Sequence, residues 1–352
     1  IVFIMKINYE VLKDWEEYTK YLPSQENDIF YSGNYHTLFA DIEKSKVEAF
    51  VYFDGDNLLI LPYLKRPLNK HIPNSKFNSY YDITSPYGYG GIIGKISSRE
   101  ILNTFFQEFN QYCLANKIVS GFFRIHPFNN LSLTDKMGEK KLVNRLIYLD
   151  LSPNLNEIFS NFKHGTRKSI RKANEANIII KRYDSIPIEE FTDVYYSTLD
   201  KRKADNFYYF NTKFFRDLDK LLVGKHYTYI AYLGDKAISA EIVLKSDYYW
   251  HSYLGGTKPD YIKTCANSLL KYNFIKDAKL EKAKMIILGG GKNDGDGIFK
   301  YKAGFSPGSV KDFYIQCAIY NQDIYKKLIL EWEINNSEQN LNTKLFQRYL
   351  QR

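Results

Sequence analysis

Positive charge is concentrated in one short stretch. Residues 159–182 hold seven basic side chains and one acid, Glu175, in a chain whose net charge is only +9. Within Phe162-Lys163-His164-Gly165-Thr166-Arg167-Lys168-Ser169-Ile170-Arg171-Lys172-Ala173, Arg167 precedes Arg171 by one helical turn and Lys168 precedes Lys172 likewise. On a helix each pair shares a face while Ile170 and Ala173 turn inward. Such a row suits the phosphates of a nucleotide, a diphosphate-sugar or tRNA. A solvated surface helix has the same composition.

A second candidate is Leu288-Gly289-Gly290-Gly291-Lys292-Asn293-Asp294-Gly295-Asp296-Gly297-Ile298-Phe299-Lys300-Tyr301-Lys302-Ala303-Gly304-Phe305. Glycines at the end of a strand let a substrate approach the backbone closely. Their spacing is neither that of a Walker loop nor that of a dinucleotide fingerprint. The aspartates lack the calcium-loop pattern, so no metal site is expected. Asp294 and Asp296 remain possible proton acceptors.

A third is Tyr80-Tyr81-Asp82-Ile83-Thr84-Ser85-Pro86-Tyr87-Gly88-Tyr89-Gly90-Gly91, taken with Phe123-Arg124-Ile125-His126-Pro127. Tyr87 and Tyr89 between glycines could frame a ring-stacking pocket, with Arg124 or His126 as the polar anchor at a strand end. Packed turns would read similarly. Nucleophilic catalysis finds little support, because there is no Gly-x-Ser-x-Gly, and the six histidines do not pair at metal spacings.

The elements that must carry these residues occur twice. Val47–Phe53, Asp54-Gly55-Asp56-Asn57 and Leu58–Tyr63 read as strand, turn and strand, and 226–244 repeats that grammar around Leu233-Gly234-Asp235. Helical segments 34–44 and 211–222 precede the hairpins. Tyr80-Tyr81 then leads into glycines, as does Tyr248-Tyr249 through Ser252-Tyr253-Leu254-Gly255-Gly256. Amphipathic helices follow at 97–116 and 265–282, each feeding a strand, 119–125 and 285–288. The fold expected is α/β (α+β): two tandem domains, each a mixed, mostly antiparallel sheet flanked by helices. Their expected limits are 1–152 and 153–335, followed by a polar tail at 336–352. Asn154 or Asn156 would cap the helix that opens the second domain.

Composition bounds the rest. With 352 residues, 44% apolar and 25% charged, the chain is an ordinary globular sequence long enough for two domains. Its three cysteines form no CxxC pair, which fits a reducing compartment. No apolar run approaches the ~18 residues of a transmembrane segment, and Ile1–Met5 is shorter than the ~7-residue core of a signal peptide. A cytoplasmic chain starting naturally at Met5 is expected.

The order of features resembles the FemAB family, peptidyltransferase-like enzymes built from two GNAT-type domains. Four stretches carry the resemblance: Thr166–Ala173, Leu199-Asp200-Lys201-Arg202, Gly289-Gly290-Gly291 and Phe299–Phe305. Ser85–Gly91 and Arg124–Pro127 resemble the branch described as GNAT-like acyltransferases of envelope-polysaccharide biosynthesis. The resemblance implies transfer of an acyl group, often an amino acid carried as a tRNA ester, to an amine on a cell-wall or envelope-polysaccharide precursor. It places Lys300, beside Phe299, where an oxyanion or donor phosphate is stabilised. Arg167, Lys168, Arg171, Lys172 and Gly289–Gly291 would hold donor phosphates. Tyr87, Tyr89, Arg124, His126, Arg202 and Tyr253 would meet the acceptor.

The implied co-substrate is aminoacyl-tRNA or acyl-CoA, with no tightly bound cofactor. The implied partner is an anionic nucleotide- or lipid-linked envelope precursor, the lipid-linked form bringing peripheral membrane association. Alternatives are an acyl-CoA-dependent N-acetyltransferase acting on an amino sugar, and a non-catalytic protein binding anionic glycans or nucleic acid. Two features depart from the pattern. Residues 187–225 are too few for the coiled-coil arm of many relatives, and Gly255–Ala266 lacks the usual GNAT pyrophosphate loop.

Overall fold

The computed structural model describes residues 7–129, 131–335 and 346–350. In chain order it runs β1 (Ile7–Leu12), α1 (Glu16–Thr19), α2 (Gly33–Ala40), β2 (Lys46–Phe53), β3 (Leu58–Pro67), β4 (Tyr81–Thr84) and β5 (Ile93–Lys95). Then come α3 (Arg99–Ala115), β6 (Ile118–Arg124), α4 (Leu131–Thr134), β7 (Glu139–Asp150), α5 (Leu155–Asn161) and α6 (His164–Glu175). These are followed by β8 (Ile179–Tyr183), α7 (Ile188–Arg202), α8 (Thr212–Leu221), β9 (His226–Leu233), β10 (Lys236–Lys245) and β11 (Tyr249–Thr257). The chain closes with α9 (Ala266–Leu280), β12 (Met285–Gly289), α10 (Gly297–Lys302), β13 (Val310–Ile319) and α11 (Gln322–Asn335).

There are two compact units, Ile1–Val143 with Phe313–Arg352, and Asn144–Asp312. The first is therefore not continuous in sequence, unlike the consecutive domains expected at 1–152 and 153–335. The physical reason is β13, whose residues 315–319 pair antiparallel with β6, Ile315 opposite Arg124 and Ile319 opposite Ser120. One of the two strand neighbours of β6 thus comes from far along the chain.

Unit one is a mixed sheet in the order β1-β2-β3-β4-β6-β13, with β5 on β3. The β2–β3 hairpin turns where Asp54 Oδ1 accepts from the Asp56 and Asn57 N–H groups at 3.0 and 2.7 Å. α3 buries Leu102, Phe105, Phe106, Phe109 and Cys113, the stripe its helical period requires. These pack on Phe50, Leu61, Tyr63 and Phe123.

The tail expected at 336–352 lies partly outside the described residues, as does the expected start at Met5. The part described, 346–350, is anchored. Tyr349 is buried beside Leu328 and Trp332, and its hydroxyl meets Ser120 Oγ at 2.7 Å.

Unit two is ordered β7-β12-β11-β10-β9-β8. α5 starts with the expected cap: Asn154 Oδ1 accepts from the Asn156 and Glu157 N–H groups, and the Glu157 carboxylate accepts from the Asn154 N–H. On α6 only Ile170 and Ala173 are buried, so its basic residues lie on the other faces. Ile170 and Ala173 join Leu270, Phe274 and Ile275 of α9 over Trp250 and Ile286 of the sheet.

Candidate active site in the second unit

The parallel pair at the centre of unit two comes apart. Tyr249, Trp250 and His251 of β11 stand opposite Met285, Ile286 and Ile287 of β12. Past that point β11 continues along β10, where Gly255 faces Glu241, while β12 stays on β7, where Gly289 faces Ile147. The divergence is lined by Ser252–Gly256 on one side and Leu288–Gly291 on the other.

Unit one has the same parallel pair, β4 with β6, but its own chain closes it. The Ser85 N–H donates to Phe122 O at 3.0 Å, the Arg124 N–H to Ser85 Oγ at 3.0 Å and the His126 N–H to Gly90 O at 3.1 Å. The Tyr87–Gly90 loop thus returns to the sheet and occupies the place that is open in unit two.

The glycine loop after β12 is fixed by close approaches. A Cβ on Gly290 would lie 2.6 Å from Arg145 O, and one on Gly291 would overlap the Asp296 carboxylate. Asn144 Nδ2 donates to Gly291 O at 2.8 Å. Asp296 caps α10, accepting from the Phe299 N–H at 2.8 Å and the Lys292 N–H at 2.7 Å. Those main-chain donors, Phe299 foremost, hold its carboxyl below the usual range. Asp294 pairs with Arg145 at 2.8 Å. Both carboxylates weighed as proton acceptors are therefore already engaged.

α10 carries two lysines on different faces. Lys300 is exposed, and Phe299 packs against the unit's core with Arg145 over its ring. Lys302 is the one turned inward, donating from Nζ to Gly290 O at 2.9 Å. Desolvation, then the charge of Lys271, pushes its amine down to about 8 against the pull of Glu241 and Asp296. Lys271, Glu241 and Ser252 form a buried cluster: Lys271 Nζ lies 2.8 and 2.9 Å from the Glu241 carboxylate oxygens and 3.1 Å from Ser252 Oγ. Sequence reasoning missed Lys302 and this cluster. The signal available was that Phe299–Phe305 holds two aromatic-lysine pairs, Tyr301-Lys302 as well as Phe299-Lys300.

The other expected residues fall as follows. Arg167 directs Nη1 to the carbonyls of Ser160, at 2.7 Å, and Phe162, so its guanidinium closes the C-terminal end of α5. Lys168, Arg171 and Lys172 are exposed along α6. Tyr87, Tyr89, Arg124 and His126 converge in unit one. There His126 Nε2 meets Asp28 Oδ2 at 3.0 Å while its Nδ1 accepts from the Phe128 N–H at 3.2 Å, so both ring nitrogens are used internally. Tyr89 packs edge-on against Phe30 and His126. Arg202 ends α7 in solvent, and Tyr253 is half-buried on β11.

Residues 160–303 match the family model of the acetyltransferase (GNAT) domain. The solved structure of FemX superposes with a TM-score of 0.68 at 11% identity, covering 90% of this chain and 99% of that one. The chain is FemAB-like in fold, and residues 160–303 of its second unit are similar to a GNAT domain. Two further solved structures resemble this chain in fold. One is the C-terminal domain of a protein assigned as a lysylphosphatidylglycerol synthetase from Agrobacterium fabrum, with a TM-score of 0.53, 13% identity, and 85% and 90% coverage. The other is a tandem GNAT protein from the clavulanic acid biosynthesis pathway, with a TM-score of 0.50, 10% identity, and 89% and 99% coverage. No curated protein matches the sequence.

The match over residues 160–303 to an acetyltransferase domain supports an acyltransferase. The fold class expected from sequence, mixed sheet flanked by helices, is present in both units. Among the described residues no helix is long and apolar enough to cross a membrane.

Proposed function

We propose that the chain transfers an aminoacyl or acyl group to an amine of a cell-wall or envelope-polysaccharide precursor, with the chemistry in the β11–β12 divergence of unit two. The single observation that carries this reading is the inward lysine on α10: Lys302 presents a desolvated amine at the Gly289–Gly291 loop. In this reading the acceptor amine attacks the activated carbonyl, and the Lys302 ammonium faces the oxygen on which negative charge develops. A cation already stripped of water stabilises that charge more than a hydrated one does. As the tetrahedral species collapses, the bond to the tRNA hydroxyl or thiol breaks, the leaving group takes a proton from Lys302, and the nitrogen keeps the acyl group while the proton it sheds returns to the Lys302 amine. With a value of about 8, Lys302 is mostly protonated at neutral pH and able to give a proton to the leaving group.

The exposed row Lys168, Arg171 and Lys172 is proposed to meet donor phosphates, and aminoacyl-tRNA is the leading donor. The match of 160–303 to a GNAT acetyltransferase domain favours a second reading, acyl-CoA as donor and an amino sugar as acceptor. Purified chain incubated with radiolabelled charged tRNA or labelled acetyl-CoA, together with envelope-precursor pools, tests both. Label is expected to move from one donor and to stop doing so in Lys302→Met. Movement from neither donor would overturn the assignment.

A further inference from the structure

Beneath the divergence of β11 and β12 lies an ion pair that the proposed chemistry does not use. Lys271, in the middle of α9, and Glu241, on β10, are 3% and 5% exposed. Withdrawing two charges from water is costly, and an apolar pair would fill the same space at no loss of stability. The cluster leaves little of either group unsatisfied. Both carboxylate oxygens accept from Lys271 Nζ, and Ser252, the first residue of β11 past the parallel register, bonds to both Lys271 and Glu241. One turn earlier on α9, Asn267 Oδ1 accepts from the Tyr301 hydroxyl at 3.1 Å, which ties α10 to the helix carrying Lys271. The charged groups that bear on the Lys302 amine come from three places: Lys271 on α9, Glu241 on β10 and Asp296 at the cap of α10.

We propose that Lys271 is a positioning residue for the transfer reaction: locked by Glu241 and Ser252 on the β11 side of the divergence, it holds its ammonium toward Lys302, whose amine sits at Gly290 on the β12 side. This deepens the reading given under Proposed function. Glu241 and Ser252 fix Lys271 in place, so its ammonium faces Lys302 from one position. Asp296, drawn off by its main-chain donors, offsets it only in part. The amine is thereby kept close to its point of proton loss at neutral pH, where a leaving group can take the proton.

The test reads Lys302 directly and needs no acyl donor. The full chain is labelled with limiting acetic anhydride from neutral to alkaline pH, and acylation of Lys302 is followed by peptide mass spectrometry. Exposed Lys300 serves as the internal reference. Half-maximal reactivity of Lys302 is expected near pH 8 in the parent chain. In Lys271→Met it should rise by roughly one unit. The midpoint rises because the positive charge that lowers it is gone.

Lys271→Arg should leave the midpoint in place. Circular dichroism checks the fold of each variant. If Lys271→Met does not fold, the double change Lys271→Met with Glu241→Leu removes both charges together, and its midpoint should also rise. An unchanged Lys302 midpoint in a folded, charge-deleted variant overturns the inference. Expected titration of Lys302 without transfer from any donor would overturn the acyltransfer reading and leave this one standing.

Discussion

Lys163 and Gly304 are joined by a main-chain hydrogen bond, the Lys163 N–H donating to Gly304 O at 2.8 Å. That bond brings the start of α6 onto the turn after α10, so two segments that carry the family resemblance, Thr166–Ala173 and Phe299–Phe305, meet in space. Glycine is required at 304 because a Cβ there would overlap Thr166 Oγ1 and lie 3.0 Å from Tyr301 O. Gly304→Ala is expected to destabilise by about 1–3 kcal/mol. Thr166→Ala removes part of the obstruction, so the double variant should lose less than the sum of the single changes. Urea unfolding midpoints of the four chains check this, and simple additivity would refute the contact.

The two lysines of α10 should behave oppositely. Lys302→Met is expected to reduce transfer by ~10²–10³-fold, the typical loss when one group facing a developing oxyanion is removed, whereas Lys300→Met should stay near the parent rate. With the Lys302 amine pushed down to about 8, the cation is present below that pH and lost above it. The rate should therefore fall on the alkaline side. Lys302→Arg, charged throughout, should lack that alkaline fall while retaining part of the activity. Label transfer measured across pH decides the matter.

Much of this architecture was legible in sequence because it is local. The Asp54–Asn57 turn, the α3 and α9 stripes and the Asn154 cap depend on residues a few positions apart, and they appear where the pattern placed them. The pairing of β13 with β6 was not legible, since Ile315 opposite Arg124 leaves no local trace. Nor was which lysine of α10 turns inward. Residues two apart on a helix point about 200° away from each other, so Lys300 and Lys302 must take opposite faces. Only the packing of α10 on α9, through Tyr301 and Asn267, selects the inner one. His126 shows the same limit: its type fits a binding pocket, but its use by Asp28 and the Phe128 N–H is a tertiary fact.

In unit one a buried guanidinium secures the end of the chain. Arg66 reaches Asp82 Oδ1 at 2.7 Å, Glu43 Oε2 at 3.0 Å and Gln347 Oε1 at 2.6 Å, while the Tyr349 hydroxyl donates to Asp82 Oδ2 at 3.2 Å. Arg66→Met strands a fully buried carboxylate and should cost about 3–5 kcal/mol. Ending the chain after Asn335 removes Gln347 and Tyr349 and should shift stability in the same direction, by less. Thermal unfolding of both variants reads the effect. A truncated chain as stable as the parent would show that 346–350 does not help hold the unit.

The Asp296 cap gives a pH-dependent prediction with a definite sign. Its carboxyl is held below the usual range by the N–H groups of Phe299, Asn293 and Lys292. Lowered in the folded chain, it contributes stability that is complete above the ordinary carboxylate range and disappears as pH drops through the lowered folded value. Asp296→Ala should cost about 1–2 kcal/mol at neutral pH, the usual worth of an N-cap. The gap between variant and parent should narrow in acid, because the parent then loses what the variant already lacks. The same substitution frees the Lys292–Phe299 turn against which Lys302 is placed, so transfer should fall at neutral pH even at temperatures where the variant remains folded. Unfolding curves at neutral and acid pH, paired with label transfer at neutral pH, separate the two effects. A gap that widens in acid would mean the carboxylate is not the cap.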